Sequence, residues 1–315
     1  MLNIQNILFP TDFTPRAEDA FSHAAHLAHR HEARIHVFNV VTPDETGQTN
    51  PMDYLPLEES EGALVLVAED VELPGPPRPE MNVEIIYQKM EGVSPAKEIV
   101  EYVDEHDIDL VVMGTHGRQG IDRLLSGSVS EEVVRQASCP VFTVLGREEP
   151  QPGPEIRRIL VPVDFSENAR LGLAHARELA RAYDASLDVM HVVEEAAFPS
   201  VYGLDPITPY MPDVKKRAAT ALERLVEEVV GGTVPARLHV VSGYAARDII
   251  DFAEEHGTDL IAMTTHGRTG LERFLIGSVT EKVIRSASCP VFTVKPFGKS
   301  LLPSTVTSTG AGGTS

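Results

Sequence analysis

"GTHGRQGIDRLLSGSVSEEVV", residues 114–134, is written a second time as "TTHGRTGLERFLIGSVTEKVI", residues 264–284, with Thr264 where Gly114 stood. Extended to Thr115–Val144 against Thr265–Val294, the two stretches agree at 21 of 30 positions without a gap. Further upstream, "NILFPTDFTPRA" at 6–17 pairs with "RILVPVDFSENA" at 158–169. The repeat is about 150 residues long, well beyond the ~20–50 residues of a solenoid unit. The unit duplicated is therefore a domain. Domains are expected at 1–145 and 156–297, joined by a linker at 146–155 whose "GREEPQPGPE" is rich in proline, glycine and charge. From Pro296 the apolar content falls, and 298–315 is expected to be a disordered tail.

Within each copy, short apolar runs alternate with helical patterns. "ILFP" and "ILVPV" are strands; Ala17, Ala20, Phe21, Ala24, Leu27 and Ala28 then recur at helical spacing. "RIHVFNVV" and "SLDVMHVV" follow as strands, then "NVEIIY" and "RLHVV", helices at 95–106 and 245–256, and the strands "DLVVMGT" and "DLIAMTT". After the glycine segment come a helix from Ser128 or Ser278 and a last strand, "PVFTV". Apolar strands separated by helices imply a parallel sheet covered on both faces. The fold class is α/β: two tandem doubly wound domains, Rossmann-like or flavodoxin-like, each with a five-stranded parallel sheet. In such sheets ligands lie beyond the carboxyl ends of the strands, where the winding reverses. The copies differ in the middle: "DVKKRAATALERLVEEVV" is a good amphipathic helix, whereas 58–80 carries glycine, valines and prolines and is expected to be short or irregular. The last strand of each copy would lie at a sheet edge, and exposed edges invite pairing. An intramolecular pseudo-dimer is therefore expected, with a homodimer also open.

The chain has 27 Lys and Arg against 47 Asp and Glu, a formal charge of −20. A surface this acidic repels phosphate backbones and anionic lipid, so no nucleic-acid or membrane partner is expected. The first residues lack the basic stretch and apolar core of a signal peptide. The only cysteines, Cys139 and Cys289, stand ahead of apolar strands and read as buried free thiols. Both observations point to a cytoplasmic location.

The glycine segment leaves a strand end, turns at glycine and enters a helix at Gly-Ser. A helix N-terminus offers free N–H groups and partial positive charge to an anion. Gly127 lets backbone approach a phosphate, Ser128 adds a hydroxyl, and Gly117 can take a positive φ. Arg118 and Arg123 offer local positive charge. Plain helix capping would leave Gly114, Gly117 and the long loop unexplained. Neither a P-loop nor a G-x-G-x-x-G after the first strand is present.

The pattern G-2x-G-9x-G-S, with "FPTDF" or "VPVDFS" closing the first strand and "HVV" closing the second in copy two, resembles the universal stress protein family, in its tandem form. That resemblance covers about residues 4–145 and 156–295 and implies ATP binding, with Mg²⁺ accompanying the nucleotide. In copy one it assigns Pro10, Asp12, Val40, Met113 and Gly114 to adenine and ribose. Gly117, Gly127, Ser128, Val129 and Ser130 then fall to the phosphates, with Arg118 beside them. In copy two it assigns Pro162, Asp164, Val192, Met263, Thr264, Gly267, Arg268, Gly277, Ser278, Val279 and Thr280. Two departures stand out: Thr264 for the first glycine, and Asn39 where copy two has His191. Because threonine puts a branched side chain at that strand end, ATP is expected to bind tighter in domain 1.

Asp12 and Asp164 have two readings. Either they belong to the ligand or Mg²⁺ shell, since carboxylate and phosphate oxygens suit that ion, or they are turn residues ahead of a helix. His23, His26 and His29 read as a solvated polar face, and His116 and His266 as loop-stabilising. No catalytic residue stands out, and at most slow ATP hydrolysis is expected. The reading is a nucleotide-dependent regulatory module. A nucleotide-independent scaffold and a slow ATPase or self-phosphorylating protein are the alternatives.

Overall fold

The computed structural model describes residues 1–13, 17–42, 64–65, 83–115, 129–145, 155–194, 211–267 and 276–303. Two compact units emerge: unit 1 comprises Met1–Pro154 together with Phe292–Ser315, and unit 2 comprises Glu155–Val291.

Unit 1 contains β1 (Asn6–Pro10), α1 (Glu18–His31), β2 (Arg34–Val41), β3 (Leu64–Val65), β4 (Ile85–Glu91), α2 (Pro95–Glu105), β5 (Leu110–Gly114), α3 (Val129–Gln136) and β6 (Val141–Val144). Five of its strands run parallel in the order β4-β2-β1-β5-β6, and β3 adds antiparallel to β4. The winding reverses between β1 and β5. Unit 2 contains β7 (Arg158–Pro162), α4 (Glu167–Tyr183), β8 (Ser186–Glu194), α5 (Met211–Val229), β9 (Ala236–Gly243), α6 (Ala245–Glu255), β10 (Leu260–Thr264) and α7 (Ser278–Ser286). Its strands run parallel in the order β9-β8-β7-β10, with the reversal between β7 and β10. This is the doubly wound α/β architecture. The irregular middle expected at 58–80 lies outside the described residues except for β3.

Two local devices recur. An aspartate ahead of the fourth parallel strand clamps the entrance to the first. Asp109 Oδ2 accepts from Gln5 N (2.8 Å) and Asn6 N (3.0 Å), and Asp259 Oδ2 accepts from Arg157 N and Arg158 N (both 2.9 Å). Glu32 and Asp184 close α1 and α4 in left-handed conformation, donating to Ala28 O and Ala180 O. Their sequence neighbours gave no glycine signal for these stops.

The cores are apolar, with Ile7, Leu8, Phe38, Leu110 and Phe142 enclosed in unit 1 and Ile159, Leu160, Leu173 and Leu260 in unit 2. Cys139 and Cys289 are free and buried, and burial pushes both thiols up to about 12. His23 departs from the expected solvated face: it is 7% exposed and stands edge-on to Phe142 at 5.0 Å. Its counterpart His175 is fully buried, and its Nδ1 bonds Leu171 O (2.8 Å). The long first helix thus buries a wider face than its alanines and leucine mark.

The C-terminal stretch also departs from expectation, since residues 296–303 pack as part of unit 1. In β11 (Val291–Val294), Thr293 Oγ1 donates to Val141 O (3.2 Å), and Phe292 lies 6.3 Å from Phe142. Lys295 Nζ donates to Arg135 O (2.8 Å) and Ala137 O (2.5 Å), capping the carboxyl end of α3. Lys299 pairs with Asp107 and donates to Ile108 O; Asn3 N donates to Leu301 O (2.7 Å); Leu301 and Leu302 are buried.

Candidate nucleotide site

Unit 2 shows the site in most detail. β7 ends at Pro162, and the next carbonyl, Val163 O, bonds His191 Nδ1 on β8 at 2.8 Å. A carbonyl oxygen only accepts, so Nδ1 carries the proton. In unit 1 the same place is held by Asn39, whose Nδ2 donates to Thr11 O at 2.8 Å. The Asn39-for-His191 exchange therefore preserves the bond that joins the first two strands at their carboxyl ends.

The aspartates follow directly. Asp164 Oδ1 accepts from Ser166 N (3.0 Å) and Ser166 Oγ (2.5 Å), while Ser166 Oγ accepts from Ala169 N (3.1 Å) to cap α4. Half of the turn reading is thus satisfied by Oδ1. The other oxygen, Oδ2, faces the glycine loop: a Cβ built on Gly267 would lie 2.5 Å from it. Gly267 is glycine because Asp164 comes this close. Left-handed angles occur at Gly231, Gly232 and Gly257 instead. Between Asp164 and Ser166, Phe165 has φ 62°, and Phe13 has φ 57° at the matching place in unit 1. Bulky side chains rarely adopt this conformation outside strained turns.

The loop after β10 is tied at several points. Thr264 Oγ1 donates to His266 O (3.0 Å), Asn168 Nδ2 donates to the same carbonyl (3.2 Å), and Thr265 Oγ1 bonds His266 Nδ1 (2.9 Å). His266 is buried and stabilises the loop, as expected. Gly277 N donates to Thr265 O (2.8 Å), and a Cβ there would stand 3.1 Å from that oxygen. Gly277 thus closes the loop through its own amide. Thr280 departs from the phosphate role in its side chain: it is buried, and Oγ1 donates to Thr264 O (2.9 Å). Gly277 at the N-cap has no side chain to cap α7, so the amides of Ser278, Val279 and Thr280 point forward without an intrahelical partner. That end is electropositive.

Pro162, Asp164, Val192, Met263, Thr264, Gly267, Gly277, Ser278, Val279 and Thr280 therefore gather at the carboxyl ends of β7, β8 and β10 and the start of α7. The Met263 side chain is buried. In unit 1, Pro10, Asp12, Val40, Met113 and Gly114 take the matching strand-end positions. Thr115 N donates to Val144 O (3.0 Å), Val129 is exposed at the start of α3, and Ser130 is buried beside it. Gly117, Arg118, Arg123, Gly127, Ser128, His116 and Arg268 lie outside the described residues.

Residues the sequence did not mark are Phe13, Phe165, Asn168 and Gly172. The phenylalanines had a signal, since "DF" recurs at the same place in both copies. Among described residues, no cluster of three His, Cys, Asp or Glu is placed to hold a metal, and no helix is long and apolar enough to cross a membrane.

Comparison with known proteins agrees with the fold and with its repetition. A universal stress protein of Methanocaldococcus jannaschii is 34% identical over 142 residues, covering 44% of this chain and 82% of that protein. One from Mycolicibacterium smegmatis is 24% identical over 297 residues, covering 92% and 97%. A universal stress protein structure from Archaeoglobus fulgidus superposes with a TM-score of 0.62 at 22% identity, over 94% of this chain and 98% of that one, a likeness of fold. The pattern of the Universal stress protein family matches residues 3–144 and again 155–295. The chain belongs to the universal stress protein family and carries the family's domain twice.

Proposed function

We propose that the chain binds ATP in both units and that occupancy sets a regulatory or partner-binding state in a stress response. The observation that carries this reading is the uncapped start of α7 at the strand-order reversal, beside a loop where Gly267 lies against Asp164. Phosphates suit the forward amides of Ser278, Val279 and Thr280, while adenine and ribose lie along the ends of β7, β8 and β10. Mg²⁺ enters with the nucleotide. Asp164 would offer it a carboxylate, with Asp12 as the counterpart in unit 1. Unit 1 is the tighter site in this proposal, since the strand end at Gly114 is bare without help from a neighbour, whereas clearance at Thr264 depends on how its two branches are held. Cytoplasmic location, self-association through the last strands and binding without rapid turnover complete the proposal.

Denaturing the purified protein and analysing the supernatant for nucleotide tests the reading, followed by calorimetry with ATP and Mg²⁺. The expected result is ATP in the supernatant and two unequal sites. Protein that carries none and takes up none would favour the nucleotide-independent scaffold. Sustained phosphate release in a turnover assay would favour the ATPase.

A further inference from the structure

The threonine at position 264 has a partner on the facing helix. A Cβ built on Gly172 of α4 would stand 3.0 Å from Thr264 Cγ2, with Thr264 N next at 3.6 Å. The space a side chain at 172 would fill is taken by the Thr264 methyl. The hydroxyl of the same threonine is also engaged, donating to His266 O at 3.0 Å. Both branches at Cβ are therefore engaged by neighbouring atoms of the same unit. In unit 1 the matching positions are Gly114 on β5 and Ala20 on α1, where Ala20 is fully buried. The methyl belongs to the helix in one unit and to the strand in the other.

We infer that Gly172 is a positioning residue for the second nucleotide site. By taking up the Thr264 methyl, it leaves the carboxyl end of β10 clear for a ribose, as Gly114 leaves β5. The inference rests on the ATP reading above and deepens it: the Gly-to-Thr change is compensated, and the second site is kept. Threonine is stiff at χ1, so a methyl added at 172 has one main consequence. The Thr264 methyl must give by a few tenths of an ångström, which strains its bond to His266 O and moves it towards the space left for the sugar.

The test is ATP calorimetry on the full chain, wild type against Gly172→Ala. The stronger site should be unchanged and the second should weaken by about tenfold or more, equivalent to ~1.4 kcal/mol. Adding Thr264→Ser, which removes the methyl and keeps the hydroxyl, should restore the second site, as should Thr264→Gly. These double variants also guard against Gly172→Ala failing to fold. Two sites in the wild type with no change in Gly172→Ala would overturn this inference alone. So would a loss that neither double variant repairs. Wild-type protein that binds no ATP would overturn the parent reading and the inference with it. One that binds a single ATP, insensitive to Gly172→Ala, would overturn the inference and leave ATP binding in unit 1 intact.

Discussion

At the residue scale, the Asp164 carboxylate approaches Gly267 where any other residue would carry a Cβ. Gly267→Val should push Asp164 aside and weaken ATP at unit 2 by at least about tenfold, while calorimetry shows unit 1 unaltered. Two buried histidines govern a different property. Burial lowers His36, bonded to Tyr102 Oη at 2.9 Å, from 6.5 to about 4, and it lowers His175 to about 4 as well. A depressed folded-state value means the neutral ring is the one the fold accepts. Stability from these groups is fully present above pH 6.5 and lost as pH falls through about 4. Urea midpoints for both units should therefore fall across that window, and His175→Gln should flatten the fall for unit 2. The repeated positions were legible at this scale because the same spacing is written twice. Gly172 was not, since its meaning depends on a threonine 92 residues away. His23 was misread because a helix-face argument counts a histidine as polar, although its ring can pack edge-on against Phe142.

At the scale of the element, α4 is held at its start by a side chain. Ser166 caps α4 and also bonds Asp164, so one hydroxyl couples helix entry to the ligand side. Ser166→Ala should cost ~1 kcal/mol in unit 2, read by chemical denaturation. It should also weaken ATP there, because Asp164 loses a donor. The alternation of strand and helix, and thus the parallel sheet, could be read from apolar runs of four to eight residues. The amphipathic stretch behind α5 was equally plain, since it spans Met211–Val229 with polar residues outward. Loop closure by Gly277 N on Thr265 O was hidden. It satisfies a backbone amide through a carbonyl twelve positions earlier, a pairing that side-chain patterns do not encode.

At the scale of the whole molecule, unit 1 is assembled from both ends of the sequence. Lys295 donates to the two carbonyls at the end of α3, and Leu301 and Leu302 fill a place beside Asn3. Low apolar content hid this, because a stretch that joins an existing core needs only a few buried side chains. Ending the chain after Val294 should lower the unfolding transition of unit 1 and leave that of unit 2 in place. Lys295→Met should reproduce part of the loss, with faster amide exchange along α3. A ribosome emits residues in order, at ~5–20 per second. The polypeptide that begins unit 1 must wait through the synthesis of all of unit 2 before Lys295 and Leu301 emerge. The domain started first is thus completed last, and its nascent form is the one that most needs a chaperone.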